Sequence, residues 1–244
     1  MTGLSEHPTL VVAIDGPSGS GKSTVSRRVA SALHLRYLDT GSLYRALTWS
    51  LLEAGIDTAD PDAVAAHALT VRLTAGTDPS HPSIAADGVV LDRQIREDAV
   101  TAAVSAVSAV PVVRRHLLDL QRRIIGDGGI AVEGRDIGSV VAPEAAVKIF
   151  LTASDDARAA RRSAESGDKV SDTLVSLQRR DHLDSSRVAS PLLKAPGAIE
   201  IDATTLDIDG VVARVLHACA AAVGHPGAAS QQWSAAAANG SFSE

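Results

Sequence analysis

The stretch Ile14–Thr24 reads IDGPSGSGKST and contains the pattern G-x-x-x-x-G-K-[ST], from Gly16 to Ser23. A short apolar run, Leu10–Ile14, leads into it and has the composition of a fully buried strand. The residues that follow, Lys22–His34, carry apolar side chains at helical spacing. Because the pattern sits between a strand and a helix, it predicts a loop that binds the phosphates of ATP or GTP.

The residue types of this loop explain the prediction. Glycines let the backbone curl until its N–H groups and the start of the helix face a phosphate. Lys22 is predicted to bridge the β- and γ-phosphates, and the Ser23 hydroxyl is predicted to be a ligand of Mg²⁺. The predicted nucleotide-binding residues are Gly16, Pro17, Ser18, Gly19, Ser20, Gly21, Lys22, Ser23 and Thr24.

Strand-like and helical segments alternate along most of the chain. This alternation predicts an α/β protein with a central parallel sheet that is covered on both faces. The further predicted strands are Tyr37–Leu38, Ile130–Val132, Val147–Leu151 and Ile199–Ile201, and the further helices are Ser42–Ala54, Val112–Ile125, Asp155–Glu165, Thr173–Ser185 and Asp207–Ala222.

One segment interrupts the alternation. Val71–Leu73 and Val89–Leu91 are brief strand-like pieces on either side of Ala75–Gly88, which is rich in Gly, Asp, Pro and Ser. We interpret the segment as a small antiparallel insertion. Residues 224–244 are small, polar and aperiodic, and we predict that this tail is disordered.

Composition limits the classes of protein. The 244 residues carry a formal net charge of −6, which argues against a protein that coats nucleic acid. The single cysteine, Cys219, excludes an internal disulfide and suits a reducing compartment. The first residues do not have the pattern of a signal peptide, and no apolar run approaches the roughly 20 residues of a membrane span. We therefore expect a soluble cytoplasmic protein that makes no membrane contact.

Motifs of other nucleotide-binding classes do not occur in the sequence. It contains neither the guanine-reading pattern N-K-x-D nor the D-E-x-D and D-E-x-H patterns of nucleic-acid motors. The sequence therefore favours a small-molecule kinase over a GTPase or a helicase.

Two polar clusters directly follow predicted strands. Residues 39–45 (DTGSLYR) follow the second strand, and residues 133–139 (EGRDIGS) follow Ile130–Val132. Ligands of open parallel sheets bind at the carboxyl ends of the strands. We therefore expect both clusters at the same edge as the phosphate loop.

A third cluster, residues 180–187 (RDHLDSSR), has Arg180, Asp184 and Arg187 at positions i, i+4 and i+7 of a predicted helix, on one face. Each cluster alone has an ordinary alternative. Arg45 also fits a solvated helix residue, Arg135 fits an internal ion pair with the next carboxylate, and the third cluster fits weak surface ion pairs. Their joint occurrence after a phosphate loop favours a site for a phosphoryl acceptor.

The motifs together resemble those of bacterial cytidylate kinases. These motifs are IDGPSGSGKST, DTGSLYR, EGRDIGS, KIFLTAS with a following Arg pair, and RRDHLDSSRVASPL, and the resemblance extends from about Val11 to about Val223. The phosphate loop alone fits many families, whereas the later motifs in this order are specific. Glu133 stands where the family more often has Asp, and Ser139 where it often has Thr; both keep the chemistry.

The resemblance implies a P-loop NTPase-type three-layer α/β/α fold with a mononucleotide-binding insertion domain and a short lid. The core would comprise residues 9–40, 126–157 and 178–223, and the mononucleotide-binding domain residues 41–125, with the antiparallel insertion near 69–96. The lid would comprise residues 158–177. The resemblance also implies a monomer.

The resemblance further implies transfer of the γ-phosphoryl group of ATP, with Mg²⁺, to CMP or dCMP. A phosphate monoester has a second pKa of about 6, so the acceptor is already a dianion near neutral pH and needs no dedicated base. The protein then has to spread the charge of the moving group. The predicted catalytic residues are Lys22, Arg135, Arg158, Arg161 and Arg162, although the last three also fit a solvated helix face.

For the acceptor, the resemblance assigns Asp136 and Ser105 to the amino edge of cytosine and Arg114 to its acceptor edge. It assigns Arg45 and Arg135 to the phosphate, which a guanidinium fork matches better than an ammonium group does. Ser105 and Arg114 also fit ordinary structural roles. Asp184 would take the ribose hydroxyls, supported by Arg180 and Arg187, and the full predicted substrate-binding set is Thr40, Tyr44, Arg45, Ser105, Arg114, Gly134, Arg135, Asp136, Arg180, Asp184 and Arg187.

Two other functions stay open at this level. One is a P-loop kinase with a different acceptor, such as adenylate, uridylate or shikimate. The other is a non-catalytic or hydrolytic P-loop module that controls a partner. The carboxylates and arginines suited to an acceptor argue against the second.

Overall fold

A computed structural model describes residues 7–185, 187 and 191–224, without the side chains of residues 165 and 166. Five of the eight strands form a parallel sheet, namely β1 (Val11–Asp15), β2 (Arg36–Asp39), β6 (Ile130–Gly134), β7 (Val147–Thr152) and β8 (Ile199–Asp202), among the described residues. Their order in the sheet is β2-β6-β1-β7-β8.

Helices cover both faces of the sheet. The helices are α1 (Lys22–Ala32), α2 (Thr40–Glu53), α3 (Pro61–Ala68), α4 (Asp98–Ala109), α5 (Pro111–Ile125), α6 (Asp155–Ser166), α7 (Val170–Ser185) and α8 (Ile208–Ala222). One buried cluster packs α1 and α8 against the sheet, and a second packs α2 and α5 against the opposite face. The predicted α/β fold with three layers is confirmed.

The second sheet has three antiparallel strands in the order β3-β4-β5. They are β3 (Leu73–Gly76), β4 (Ser83–Ala86) and β5 (Val89–Leu91). The prediction placed no strand between the outer two, but Ile84 is buried and packs into the larger core cluster. Asp87 and Gly88 both have positive φ and form the two-residue turn that joins β4 to β5.

Three other predictions need correction or stay open. Val71 precedes β3 instead of lying within it. Helix α3 lies where the sequence pattern predicted no element; Asp60 caps its N-terminus and Pro61 is its first residue. Apart from Gly224, the tail predicted to be disordered lies outside the described residues.

The register of the parallel strands brings their carboxyl ends together. Asp15 pairs with Gly134 across β1 and β6, and Asp39 pairs with Glu133 across β2 and β6. The polar residues that end these strands therefore meet at one edge of the sheet, where α1 begins.

Candidate active site

The phosphate loop connects β1 to α1 through left-handed backbone that glycine adopts without strain. Gly19 and Gly21 have φ of +76° and +91°. A Cβ on Gly16 would overlap the carbonyl oxygen of Leu151 on β7, so this position requires glycine for space as well. The sequence therefore folds here into a tight turn that leaves the N-terminus of α1 open to a ligand.

Lys22 is the first residue of α1 and is only 6% exposed. Its Nζ donates a hydrogen bond to the carbonyl oxygen of Pro17 at 2.6 Å, which holds the ammonium group over the loop. Burial is the largest cause of a lowered pKa at Lys22, and the Arg135 guanidinium lowers it further. The Glu133 carboxylate opposes both effects. A polyanion bound in the loop would favour the charged form.

Glu133 is the penultimate residue of β6 and is a site residue to which the sequence reasoning gave no role. Its Oε2 accepts a hydrogen bond from Ser23 Oγ at 3.1 Å, and its Oε1 accepts one from the Tyr37 hydroxyl. The carboxyl group is 3% exposed, and burial followed by the nearby Asp39 carboxylate raises its pKa. The sequence signal for a role of Glu133 was its position near the end of a predicted strand beside the phosphate loop.

Asp15 connects the phosphate loop to the opposite part of the site. It ends β1, and its two carboxylate oxygens accept hydrogen bonds from the backbone N–H groups of Ile137 and Gly138, each at 2.8 Å. Burial raises its pKa to about 6, although these hydrogen bonds oppose the shift. Asp15 therefore fixes the loop after β6, which carries Arg135 and Asp136.

We use the name acceptor-side cluster for Arg45, Arg114, Arg135, Asp136, Arg180, Asp184 and Arg187. Its first part is a buried ion pair between Arg114 on α5 and Asp136 after β6. The Arg114 guanidinium also lies 5.7 Å from the centre of the Tyr44 ring. The two residues predicted to read opposite edges of cytosine are thus in contact with each other.

Asp184 on α7 joins the next two arginines of this cluster. Its Oδ2 accepts a hydrogen bond from Arg135 Nε at 3.0 Å, and its Oδ1 lies 3.8 Å from Arg187 Nη1. Arg187 Nη1 also lies 3.4 Å from the Ser108 hydroxyl, which donates to the carbonyl oxygen of Ser105 one turn earlier on α4. Ser105 therefore lies at the rim of the cluster.

Arg45 and Arg180 complete the cluster on the side of the phosphate loop. Arg45 donates to the Ile95 carbonyl oxygen at 2.9 Å, and Arg180 Nη1 lies 3.3 Å from Ser18 Oγ. Burial lowers the pKa of Arg45 to about 9, with further lowering by Arg180 and Arg162. Burial, followed by the positive charge of Arg135, lowers the pKa of Arg180 to about 10. These guanidinium groups lie near enough to repel one another, as groups that share an anion would.

The three predicted lid arginines on α6 have different surroundings. Arg158 is 4% exposed and contacts the carboxylates of Asp155 and Asp181, each at 2.5 Å, and the Ser18 carbonyl oxygen at 2.9 Å. The positive charge of Arg162 lowers the pKa values of Arg45 and Arg180. Arg161 instead donates to the Ala203 carbonyl oxygen after β8, and the structure does not bring it to the acceptor-side cluster.

The remaining predicted residues line the same edge of the sheet. Thr40 Oγ1 donates to the Glu133 carbonyl oxygen at 2.7 Å, and a Cβ on Gly134 would lie 2.6 Å from that same Thr40 oxygen. Ser20 is buried in the phosphate loop, whereas Thr24 is exposed on α1.

No group of three or more His, Cys, Asp and Glu side chains among the described residues could hold a metal ion by itself. No helix among the described residues has the length and apolar character needed to cross a membrane.

The fold and the site together define a P-loop nucleotide-binding protein with a second, arginine-lined site beside the phosphate loop. The family model described as cytidylate kinase matches residues 12–221. The chain belongs to the cytidylate kinase family.

Relatives of known name agree with the family model. A protein of Rhodococcus opacus (strain B4) named cytidylate kinase is 51% identical over 214 residues, covering 85% of this chain and 93% of the relative. One of Streptomyces coelicolor with the same name is 54% identical over 208 residues, covering 84% and 90%. Among solved structures, TT1252 from Thermus thermophilus is 21% identical with a TM-score of 0.45, covering 87% of this chain and 96% of that one.

Proposed function

We propose that this protein transfers the γ-phosphoryl group of ATP to CMP or dCMP, giving ADP and CDP or dCDP. The observation that carries the proposal is the meeting of two sites at one edge of the sheet. Arg180 of the acceptor-side cluster lies 3.3 Å from the Ser18 hydroxyl of the phosphate loop, and the charge of Arg135 lowers the pKa of Lys22. The two sites therefore adjoin, as direct transfer between two bound nucleotides requires, and family membership supports the choice of acceptor.

The donor nucleotide would bind with Mg²⁺. Ser23 and Glu133 supply a hydroxyl and a buried carboxylate in mutual contact, which are oxygen ligands of the kind that Mg²⁺ prefers. These residues fit the ion and would hold it beside the phosphates, which Lys22 would contact with its ammonium group. When bound, Mg²⁺ neutralises charge on the β- and γ-phosphates.

The acceptor phosphate would bind between Arg45 and Arg135. Arg135 contacts Asp184 through Nε, and one of its terminal nitrogens lies 3.5 Å from the Gly134 carbonyl oxygen, so the other terminal nitrogen would donate to the phosphate. A phosphate monoester with a second pKa of about 6 is largely a dianion at neutral pH. The arginines thus need only to orient a nucleophile that is already ionised and to offset its repulsion from ATP.

Base and ribose would be recognised by the buried ion pairs. Asp136 would accept from the cytosine amino group, with Ser105 beside it, and Arg114 would donate to the acceptor edge. The contact between Arg114 and Asp136 supports this assignment because it holds a donor and an acceptor side by side. Asp184 would take the ribose hydroxyls, with Arg180 and Arg187 holding its carboxylate in place.

We further propose the division into a core, a mononucleotide-binding domain of residues 41–125 and a lid of residues 158–177. Closure of the last two over the substrates would exclude water, which would otherwise compete as phosphoryl acceptor. Arg158 and Arg162 on α6 would act from the lid, and Arg161 would join them only by leaving the Ala203 carbonyl oxygen when the lid closes. We also propose a cytoplasmic monomer that binds no nucleic acid.

A panel of acceptors tests the proposal. ADP release coupled to NADH oxidation should be fast with CMP and dCMP and much slower with UMP, AMP and shikimate, and chromatography should recover CDP or dCDP in equal amount to ADP. Equal turnover with AMP and CMP would contradict the cytidine assignment. ADP release without any phosphorylated product would instead support a hydrolytic module.

A further inference from the structure

Tyr37 lies in β2 and is not among the residues predicted to touch a nucleotide. Its side chain is 2% exposed, and its hydroxyl donates a hydrogen bond to Glu133 Oε1. The other oxygen of that carboxylate, Oε2, accepts from Ser23 Oγ at 3.1 Å. Three side chains from β2, β6 and α1 thus form one continuous hydrogen-bond network that ends at the phosphate loop.

The strand register explains why Tyr37 reaches this position. Tyr37 pairs with Ala131 and Asp39 pairs with Glu133 across the parallel β2 and β6 strands. Side chains alternate between faces along a strand, so all four lie on the same face of the sheet. The Tyr37 ring packs in the apolar cluster beneath α1, and only the hydroxyl extends toward the polar edge.

We propose that Tyr37 is a positioning residue that orients Glu133 toward Ser23 and the Mg²⁺-nucleotide complex. A glutamate side chain has several rotatable bonds, and the hydrogen bond from Tyr37 engages one of its two oxygens. Thr40 holds the backbone of Glu133 through its carbonyl oxygen, so the strand end is fixed independently of the side chain. With Oε1 engaged, Oε2 is the oxygen that faces the Ser23 hydroxyl. This role rests on the proposed function, because it assigns the network to the donor nucleotide.

Groups that support a metal-binding carboxylate commonly change metal affinity when they are lost. Removal of the Tyr37 hydroxyl should therefore weaken the binding of nucleotide only when Mg²⁺ is present. A tyrosine that merely fills the core would instead be replaced by phenylalanine without any such selective effect, because the ring is the same.

The test is isothermal titration of the full chain with ADP, in the presence and absence of Mg²⁺, for wild type and Tyr37→Phe. We expect Tyr37→Phe to bind ADP about tenfold more weakly with Mg²⁺ and equally well without it. KM for CMP should stay within about twofold, because no part of the acceptor-side cluster changes. Ser26→Ala is the matched control: it removes a buried hydroxyl on α1 that has no hydrogen-bond partner among the described residues.

A double-mutant cycle with Glu133→Gln separates positioning from packing. If Tyr37 acts through Glu133, Tyr37→Phe should add little to the Mg²⁺-dependent loss already caused by Glu133→Gln. Additive losses, or wild-type binding of ADP and Mg²⁺ by Tyr37→Phe, would overturn the proposal. Because ADP binding is measured without any acceptor, a failure of the CMP assignment would leave this result unchanged.

Thermal unfolding verifies that Tyr37→Phe retains its fold. Should it unfold, 3-fluorotyrosine can replace the tyrosines in a Tyr44→Phe background, since the chain has two tyrosines. This replacement changes the strength of the hydroxyl as a donor with little change in ring volume. A selective change in Mg²⁺-dependent ADP binding supports the proposal, and unchanged binding overturns it.

Discussion

The phosphate loop and the acceptor-side cluster differ in where their parts come from along the chain. The loop occupies consecutive residues between β1 and α1. The acceptor-side cluster draws side chains from α2, α5, α7 and the segments after β6 and α7. The first site is formed by local backbone geometry, whereas the second exists only when distant elements pack together.

The two sites also differ in how they carry charge before a nucleotide binds. Lys22 is buried against a carbonyl oxygen and has a lowered pKa, so the loop holds a cation that burial destabilises. Two arginines of the other site already contact carboxylates, in the pairs Arg135–Asp184 and Arg114–Asp136. We infer that loss of the loop cation chiefly affects transfer, whereas loss of a cluster carboxylate chiefly affects acceptor binding.

The largest effect is expected from Lys22→Ala. Removal of the cation that neutralises the transferring group should lower turnover by about 10³-fold. The ADP-release assay with saturating CMP and ATP measures this change, and circular dichroism should show the fold retained. Activity near that of the wild type would refute the assigned role of Lys22.

The lid arginines provide the next comparison. Arg162 lies within electrostatic reach of Arg45 and Arg180, whereas Arg161 is bound to the Ala203 carbonyl oxygen. Arg162→Ala should lower kcat by about 10²-fold, and Arg161→Ala by less than about tenfold. Each variant is a control for the other, since both remove one charge from α6. A larger loss in Arg161→Ala would mean that this side chain moves to the phosphates when the lid closes.

The carboxylate of Asp184 tests the acceptor side alone. Asp184→Ala removes the partner of Arg135 and Arg187, and KM for CMP should rise by about 10- to 100-fold, as expected for hydrogen bonds to charged groups. KM for ATP should change less than about twofold. His182→Ala, an exposed change on the same helix, is the control. If ATP binding collapsed instead, α7 would belong to the donor site.

The smallest effect on turnover is expected at Asp15, which connects the two sites. Its native pKa of about 6 lies above its ordinary value of 3.8, so the folded chain binds more protons than the unfolded chain between these values. Stability from this group should be full below pH 3.8 and should be lost as the pH rises through about 6. The corresponding fall in Tm is about 2–4 °C per pH unit within that window.

Asp15→Asn isolates that contribution. The amide keeps one acceptor oxygen for the N–H groups of Ile137 and Gly138 but does not ionise. Calorimetry between pH 4 and pH 7 should give a flatter dependence of Tm on pH for the variant than for the wild type. Identical slopes would show that Asp15 titrates elsewhere or not at all in this range.

Much of the fold could be predicted from hydrophobic patterns, and the exceptions have physical causes. The buried parallel strands are continuous apolar runs, so β1 and β7 were evident. Strand β4 was missed because Ser83–Ala86 is short and lies in a stretch rich in turn residues. The Asp87-Gly88 turn was the available signal for a hairpin. Helix α3 carries little apolar pattern, although Asp60 and Pro61 are a recognisable start.

The candidate site likewise has features that the sequence predicts and features that it does not. The types of its residues could be predicted because the motifs and the resemblance name them one by one. The partners could not be predicted, because contacts such as Asp184 with Arg135 join residues far apart in the chain. Neither the hydrogen-bond network from Tyr37 through Glu133 to Ser23 nor the separate position of Arg161 has a local sequence signal.

The sequence by itself determined the phosphate loop and the parallel sheet, because glycine conformations and buried strands depend on neighbouring residues. It also determined the family, because the motifs that identify it are short stretches of sequence in a fixed order. Only the tertiary structure decided which arginine meets which carboxylate and how Asp15 connects the two sites. Those contacts depend on strand order and register, which bring β1, β2 and β6 side by side. A side chain that ends a strand acquires its partners from the strands beside it, and that arrangement is a property of the whole fold.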